Sequence, residues 1–158
     1  MNQPVYYKTS SASYDELLDH LRLCDEYHTP KLSERLDIPS YAKKLFENSV
    51  TFEAWSENKL IGLIAVYFNN EKQGFISNVS VSGEHMKKGI ATMLLQHCIK
   101  GAVRKHISSL SLEVSSNNET AITLYEKSGF QNSERQHPGK TIPFITMRLN
   151  LKGQPGHE

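Results

Sequence analysis

Three residues in the last third of the chain carry polar groups that could act on a substrate. Within the segment LEVSSNNETAITLYEKSGF, Glu113 supplies a carboxylate, Asn118 an amide and Tyr125 a phenol. A helix over residues 117–127 places Asn118 and Tyr125, two turns apart, on one face. A carboxylate can act as a base, and a phenol with a pKa of ~10 is protonated at neutral pH. The structural alternatives are a solvent-facing strand residue for Glu113, a helix cap for Asn118 and a core residue for Tyr125.

A second candidate region is the loop MKKGIA, residues 86–91, which could hold a phosphate group on its backbone. A predicted strand ends at Val81 and a predicted helix begins near Gly89. The first turn of a helix has unpaired N–H groups and a positive macrodipole end. Gly89 and Ala91 are small enough for an anion to approach the backbone, and Lys87 and Lys88 add positive charge. Taken alone, a strand–glycine–helix turn is more often a tight connection, and no P-loop sequence follows it.

Hydrophobic periodicity predicts the elements that must position these two regions. Strands are predicted at residues 5–8, 51–55, 59–68, 74–81, 107–114 and 143–151, with a short additional strand at 130–135. Helices are predicted at residues 14–27, 40–47, 89–102 and 117–127, the last with a capping box of Ser116 and Glu119. The helix at 89–102 should bury a stripe formed by Ile90, Met93, Leu94, His97, Cys98 and Gly101. This order predicts one mixed α/β domain over residues 1–151 and a disordered tail at 152–158.

The overall composition excludes several classes of protein. A chain of 158 residues is long enough for one domain with its own core. A net charge of +1 argues against a nucleic-acid-binding protein, and no segment approaches the roughly 18 apolar residues of a membrane helix. The two cysteines, Cys24 and Cys98, lie in separate predicted helices. A disulfide framework is therefore not indicated, and we expect a cytoplasmic protein.

A row of possible metal ligands, with intervals of four residues, is formed by His20, Cys24 and His28. Such a row drifts about 40° around a helix every four residues, and no fourth ligand is apparent. We therefore expect no metal and interpret these residues as the edge of the core. Cys98 is interpreted as a packing residue. Glu53 and His28 are secondary candidates for a base, without a supporting motif.

The two regions together resemble the signatures of the GNAT superfamily of N-acetyltransferases. The first signature is Gln/Arg-x-x-Gly-x-Gly/Ala after a strand that ends in valine, and it is matched by Val81, Gly89 and Ala91. The second, Asn-x-x-Ala-x-x-Leu-Tyr-x-x-x-Gly-Phe, is matched by Asn118, Ala121, Leu124, Tyr125, Gly129 and Phe130. Met86 stands at the Gln/Arg position, which puts one side-chain contact in doubt. The resemblance covers residues 50–150 well and the preceding residues only by the order of elements.

The resemblance implies a mixed, mostly antiparallel sheet of six or seven strands, flanked by about four helices, with splayed central strands. It implies acetyl-CoA as the donor, held by Val79, Val81, Met86, Lys87, Lys88, Gly89, Ile90, Ala91, Thr92, Asn118, Ala121 and Tyr125. The N–H of Val81 would polarise the thioester carbonyl, and Tyr125 would protonate the leaving thiolate. Glu113 resembles the base of bacterial enzymes that acetylate a ribosomal protein N-terminus. Ordered water is the alternative base.

The acceptor is the least determined part of this hypothesis. In this architecture it would lie between residues 27–41 and 135–144, where Arg35, His137 and Lys140 either bind an anionic group or are merely solvated. We expect direct attack by a primary amine in a ternary complex, on a small molecule such as an amino sugar or an amino acid derivative. A peptide or protein N-terminus and a non-catalytic acyl-CoA-binding module are the alternatives. We expect a monomer or homodimer without nucleic-acid or membrane partners.

Overall fold

A seven-stranded sheet forms the centre of the computed structural model, which describes residues 3–28, 30–132 and 144–152. The strands are β1 (Tyr6–Thr9), β2 (Val50–Ser56), β3 (Lys59–Tyr67), β4 (Gln73–Val81), β5 (Ser109–Ser115), β6 (Gln131–Asn132) and β7 (Phe144–Asn150). Their order in the sheet is β1-β2-β3-β4-β5-β7-β6, and every neighbouring pair is antiparallel except β4 and β5. The mixed, mostly antiparallel sheet predicted from the sequence is therefore confirmed.

Five α-helices accompany the sheet in the described residues, one more than expected. They are α1 (Tyr14–Cys24), α2 (Leu32–Arg35), α3 (Ile38–Asn48), α4 (Ile90–Arg104) and α5 (Glu119–Lys127). Leu94 of α4 packs in one core with Ile64 of β3, whereas Leu21 of α1 and Leu45 of α3 pack in a second core with Leu63. Successive strand residues point to opposite faces, so β3 is apolar on both. None of these helices is long and apolar enough to cross a bilayer, within the described ranges.

Side-chain caps define where the first long helices begin. The Ser13 hydroxyl accepts from the Glu16 N–H at 3.1 Å, and the Glu16 carboxylate accepts from the Ser13 N–H at 2.9 Å. This reciprocal pair is a capping box, and it starts α1. The Asp37 carboxylate accepts from the Ser40 N–H at 3.0 Å, so α3 begins at Ile38, earlier than the predicted residue 40.

Two predicted segments are structured differently. The break predicted at 29–39 contains α2, because Asp25 accepts hydrogen bonds from the N–H and the hydroxyl of Ser33 at 2.8 and 2.6 Å. The predicted stripe of α4 is rotated: Met93 is 40% exposed, and the buried row runs through Ile90, Leu94, Leu95, Cys98, Ala102 and Val103. Part of the strand predicted at 130–135 is present as β6, which ends at Asn132. Residues 133–135, and the predicted tail beyond Lys152, lie outside the described residues.

Candidate active site

Strands β4 and β5 diverge halfway along their length. They pair over residues 73–76 and 109–112, and within the described chain residues 77–81 of β4 do not pair with β5. Beyond this point β5 continues to pair with β7, and β4 continues to pair with β3. A wedge-shaped opening therefore lies between the two strands, and one edge of β4 offers its backbone groups to a ligand.

A β-bulge marks the point of divergence. Ser77 is an extra residue in the β3–β4 register, so it has no residue opposite it. Because of the bulge, two consecutive side chains point to the face covered by α1 and α3. The Ser77 hydroxyl lies 2.6 Å from the Tyr41 hydroxyl, and the Asn78 Nδ2 lies 3.1 Å from the His28 Nε2.

The hydrogen bonds at the end of β4 show which N–H groups face the opening. The Ser82 N–H donates to the carbonyl of Ile61, next to β4 on the β3 side, at 2.8 Å. Because N–H groups alternate in direction along a strand, the N–H of Val81 points away from β3 and toward the opening. The same alternation directs the N–H of Val79 into the opening.

The N-terminus of α4 lies beside this opening without a side-chain cap. Gly89 precedes the helix with a φ of 80°, a left-handed conformation that favours glycine. The first helical bond joins the Met93 N–H to the Gly89 carbonyl at 3.0 Å. The N–H groups of Ile90, Ala91 and Thr92 thus have no acceptor within the helix. A Cβ at Gly89 would meet nothing within 4 Å, so the space in front of this turn is open.

The opening and the helix end form one cleft of about 780 Å³, within the size range of small-molecule sites. Predicted site residues that line it are Val79, Val81, Met86, Lys87, Gly89, Ile90, Ala91, Thr92, Glu113, Asn118, Ala121 and Tyr125. Among the residues predicted to hold the coenzyme, Lys88 alone does not line it. A second hollow, of about 730 Å³ beside Tyr6 and Trp55, contains none of the predicted residues.

The two predicted catalytic residues reach the cleft from different environments. Tyr125 is buried against Phe130, with ring centroids 5.9 Å apart, and it contributes to the cleft wall. Burial raises the pKa of the Tyr125 phenol above its usual 10.0, so this side chain keeps its proton. Glu113 is exposed in the cleft, and its neighbours on β5, Leu112 and Val114, are buried. A proton donor and a carboxylate therefore belong to the same cleft.

Asn118 is the N-cap of α5. Its Oδ1 accepts from the Ala121 N–H at 3.2 Å, so the helix begins at Glu119. The predicted capping box of Ser116 and Glu119 is wrong, because the cap lies two residues later in the chain. Asn118 also lines the cleft, and a contact between its amide and a ligand stays a prediction.

Glu53, a secondary candidate for the base, is buried and hydrogen-bonded within the protein. Its side chain is 0% exposed and does not line the cleft. The carboxylate accepts hydrogen bonds from the N–H groups of Ser11 and Ala12, the Thr51 hydroxyl and the Trp55 indole, at 2.5–3.2 Å. These bonds join β2 to the connection between β1 and α1. Glu53 is therefore not placed to act as a base on a substrate in the cleft.

The polar atoms in the row of His20, Cys24 and His28 form hydrogen bonds and do not converge on a common point. His20 is buried and bonds Ser80, while the His28 Nδ1 donates to the Cys24 carbonyl at 3.0 Å. Across the described ranges, no group of three His, Cys, Asp or Glu side chains is placed to hold a metal ion. Cys98 is buried in the core, and burial raises the pKa of its thiol to about 12. Its environment is that of a packing residue.

Sequence reasoning missed much of the cleft wall on the helix side. The missed residues belong to β4, namely Phe75, Ser77, Asn78 and Ser80, whereas Tyr27 and Tyr41 of the same wall fall in the predicted acceptor segment 27–41. The one available signal was the polar character of Asn78 and Ser80 within an otherwise apolar strand. Arg35 of the predicted acceptor region lines the cleft, with its guanidinium carbon 5.7 Å from the Phe144 ring. His137 and Lys140 lie outside the described residues.

Known proteins share this sequence pattern over part of their length. The chain is 37% identical over 95 residues to the uncharacterized N-acetyltransferase YsnE of Bacillus subtilis, covering 58% of this chain and 63% of that protein. It is 31% identical over 84 residues to a streptothricin acetyltransferase of Escherichia coli, covering 53% and 48% of the two chains. The matched regions thus span less than two thirds of these relatives.

Solved structures share the fold over nearly the whole chain. The ribosomal-protein-S18-alanine N-acetyltransferase of Escherichia coli superposes with a TM-score of 0.73 at 19% identity, covering 92% of this chain and 94% of that one. The PaiA N-acetyltransferase of Thermoplasma acidophilum, in complex with coenzyme A, gives 0.72 at 17% identity, with 93% and 99% covered. The family model described as acetyltransferase (GNAT) family matches residues 14–130. The chain therefore belongs to the GNAT acetyltransferase family, as its two motifs predicted.

Proposed function

We propose that this protein is an acetyl-CoA-dependent N-acetyltransferase that acts on a primary amine within a ternary complex. The observation that carries the proposal is one cleft that joins the unpaired edge of β4 to the uncapped N-terminus of α4. The strand edge suits the amide-containing arm of coenzyme A, and the helix end suits its pyrophosphate. Bound acetyl-CoA would supply an acetyl group activated as a thioester.

The residues around the helix end fit a pyrophosphate. The N–H groups of Ile90, Ala91 and Thr92 lack acceptors within the helix and lie in the cleft wall. Lys87 is exposed beside them and adds a positive charge. Met86 adds no charge at its position, so anion binding in this protein depends on the backbone and on the lysine.

The strand edge supplies the groups that act on the acetyl carbonyl. The N–H of Val81 points into the opening and would donate to the carbonyl oxygen as negative charge develops there. Tyr125 would donate its proton to the leaving sulfur, and its raised pKa supports this role because the phenol stays protonated at neutral pH. Asn118 and Ala121 would contact the coenzyme from the first turn of α5.

Glu113 would accept the proton that the amine must lose. An alkyl ammonium has a pKa near that of lysine, ~10.4, so at neutral pH a base is needed before attack. A positioned base contributes about 10²–10⁴-fold to the rate. Glu113 is a carboxylate exposed in the cleft wall, which supports its assignment over the fully buried Glu53.

On the acceptor side we propose a small-molecule amine, such as an amino sugar or an amino acid derivative. Arg35 and the rings of Tyr27, Tyr41 and Phe144 line this part of the cleft, which suits a compact amine that carries a polar or anionic group. A peptide or protein N-terminus is the second candidate. It is favoured by the fold shared with an enzyme that is named for acetylating a ribosomal protein.

The direct test combines binding with turnover. We expect saturating acetyl-CoA to raise the melting temperature, since a ligand at 100 times its Kd stabilises the folded state by about 2.7 kcal/mol. Release of free thiol is then measured with amino sugars, amino acids, polyamines and short peptides. Absence of any melting shift would reject the donor. A shift without thiol release for any amine would favour the non-catalytic module, and peptide-specific release the second candidate acceptor.

A further inference from the structure

A chain of four polar side chains crosses the protein from the core to the cleft. The His20 Nε2 lies 2.9 Å from the Ser80 hydroxyl, which lies 2.8 Å from the Asn78 Oδ1. The Asn78 Nδ2 lies 3.1 Å from the His28 Nε2, and the His28 Nδ1 lies 3.0 Å from the Cys24 carbonyl. His20, Ser80 and Asn78 are 2%, 8% and 4% exposed, so water does not supply these partners. His28 is half-buried and lines the cleft.

When both imidazoles are neutral, the donors and acceptors of this chain favour one direction. The Cys24 carbonyl can only accept, so His28 carries its hydrogen on Nδ1 and its Nε2 accepts. Asn78 must then present its NH₂ to His28 and its oxygen to Ser80. The Ser80 hydroxyl donates to that oxygen. Two acceptors then compete for the hydrogen of His20, namely the Ser80 oxygen at 2.9 Å from Nε2 and the Leu60 carbonyl at 3.3 Å from Nδ1. The shorter contact assigns the hydrogen to Nε2. The order of donation therefore runs from His20 to Ser80 and Asn78, and the Asn78 amide then donates to His28.

The neutral state of both rings follows from their surroundings. Burial lowers the pKa of His20 to about 4, and Lys59 and His28 oppose a further positive charge there. Burial also lowers the pKa of His28, where the nearby Arg35 adds to the effect and Asp25 opposes it.

The position of the chain connects it to the proposed chemistry. Asn78 and Ser80 flank Val79 on the segment of β4 that has lost its β5 partner. One edge of this segment is open, so side-chain bonds to α1 and to the turn after it restrain it in place of the missing strand pairing. The backbone of Val79 and Val81, which faces the opening, is held by the same restraint.

We infer that His20 and His28 are positioning residues, joined through Ser80 and Asn78 into one directional chain that holds the open edge of β4 against the acyl donor. This inference rests on the proposed function for its catalytic consequence, but the chain itself can be tested without any ligand. It also assigns a defined tautomer to each histidine, with the hydrogen on Nδ1 in His28 and on Nε2 in His20.

The tautomers are measured by ¹⁵N NMR of the two rings in the whole, ligand-free protein at neutral pH. We expect the hydrogen on Nδ1 in His28 and on Nε2 in His20. An Nε2-protonated His28, an Nδ1-protonated His20 that donates to the Leu60 carbonyl, or rapid exchange between tautomers in either ring would overturn the chain. This result does not depend on whether the protein binds acetyl-CoA, so it separates a failure of this inference from a failure of the proposed function.

A near-isosteric variant tests the direction of donation. Asn78→Asp replaces the NH₂ group that faces the His28 Nε2 with an acceptor, so His28 gains a reason to hold a second proton. We expect its pKa, followed by NMR titration, to rise by about one unit or more, an effect typical of a neighbouring carboxylate. His28 titrating as in the wild type would show that the two side chains do not interact in this way, and the chain would be refuted.

Turnover tests the positioning role. We expect Ser80→Ala to lower kcat about tenfold to a hundredfold, because a small misplacement of a reacting geometry has effects of this size. The KM for the amine should change much less, and Ser80→Thr, which keeps the hydroxyl, should recover most of the rate. Ser56→Ala is the matched control, because Ser56 is a strand serine of similar burial, 5% exposed, outside the cleft. A folded Ser80→Ala variant that turns over like the control would overturn the role, and misfolding of that variant leaves the tautomer and titration tests decisive.

Discussion

Two glutamates on different strands of the sheet have opposite surroundings. Glu53 of β2 is fully buried, and four different residues donate hydrogen bonds to its carboxylate. Glu113 of β5 is exposed in the cleft, where β5 has separated from β4. Both residues are strand glutamates in the sequence, and both were candidates for the catalytic base.

The contrast shows how one sheet can bury one glutamate among hydrogen-bond donors and leave another exposed to a ligand. A carboxylate whose oxygens are filled by protein donors has no free position for a substrate proton, and its burial excludes the substrate. A carboxylate at an unpaired strand edge keeps its accepting positions open. We expect mutation of the first to affect stability and mutation of the second to affect turnover.

The largest effect is expected at the exposed glutamate. Glu113→Gln should lower kcat/KM by about 10²–10⁴-fold, because the amine loses its proton acceptor. Steady-state kinetics as a function of pH measures this, and the acidic limb of the profile should disappear with the carboxylate. Acetyl-CoA affinity and the free energy of unfolding should change little, the latter by no more than about 0.5 kcal/mol. Wild-type turnover in this variant would point to ordered water as the base.

The buried glutamate should show the reverse behaviour. Glu53→Gln places an NH₂ group against N–H and indole donors, and it removes charge-assisted bonds, so the free energy of unfolding should fall by about 3 kcal/mol. Denaturant unfolding measures the loss, with Glu113→Gln as the matched control of identical chemistry. Equal stability losses in the two variants would contradict the division of roles.

A second buried titratable group extends the comparison to pH. The folded-state pKa of His20, about 4, is lower than its ordinary 6.5. Between these two pH values His20 is therefore protonated in the unfolded chain and neutral in the folded chain. Stability should therefore be greatest above pH 6.5 and should fall as the pH decreases toward 4, by about 3 kcal/mol from this group. His28 acts in the same direction.

Urea unfolding at a series of pH values measures this dependence, and His20→Gln provides the comparison. The variant has a lower overall stability, but its stability should decrease less steeply between pH 6.5 and 4. Parallel pH profiles for the two proteins would contradict a neutral, buried His20.

Tyr125 combines features of the two glutamates, since it is buried like Glu53 and lines the cleft like Glu113. Tyr125→Phe should lower kcat by about 10²-fold, at the small end of general-acid effects because a thiolate is a fair leaving group. The Kd for acetyl-CoA should change much less. Tyr67→Phe is the control, because Tyr67 is also a buried tyrosine but does not line the cleft. Equal activity of both variants would remove Tyr125 from the mechanism.

Much of the fold could be predicted from local signals in the sequence. The turn between β2 and β3 was predicted at Glu57 and Asn58, and these residues have φ values of 52° and 63°, as a two-residue hairpin turn requires. The start of α4 was predicted at Gly89, which has a positive φ at that position. Such features depend on a few neighbouring residues, so the sequence pattern was sufficient for them.

The first turns of the helices were harder to predict. The start of α3 and the cap of α5 were misplaced, because Ser40 and Ser116 lie near the actual caps, Asp37 and Asn118, and also carry side chains that can cap a helix. The short helix α2 was missed because its anchor is the more distant Asp25, which bonds Ser33 across the intervening turn. Interactions across such distances leave no periodic signal.

The sequence by itself determined the family and indicated the proposed phosphate-binding turn and the candidate acid and base, because each depends on residue type at fixed spacing. Only the tertiary structure decided which glutamate meets the cleft, since burial is a property of the assembled sheet. It also decided that Asn78 faces His28, because a one-residue bulge at Ser77 changes which side chains share a face. No local preference of the chain specifies that extra residue, which only the pairing of β4 with its neighbours defines.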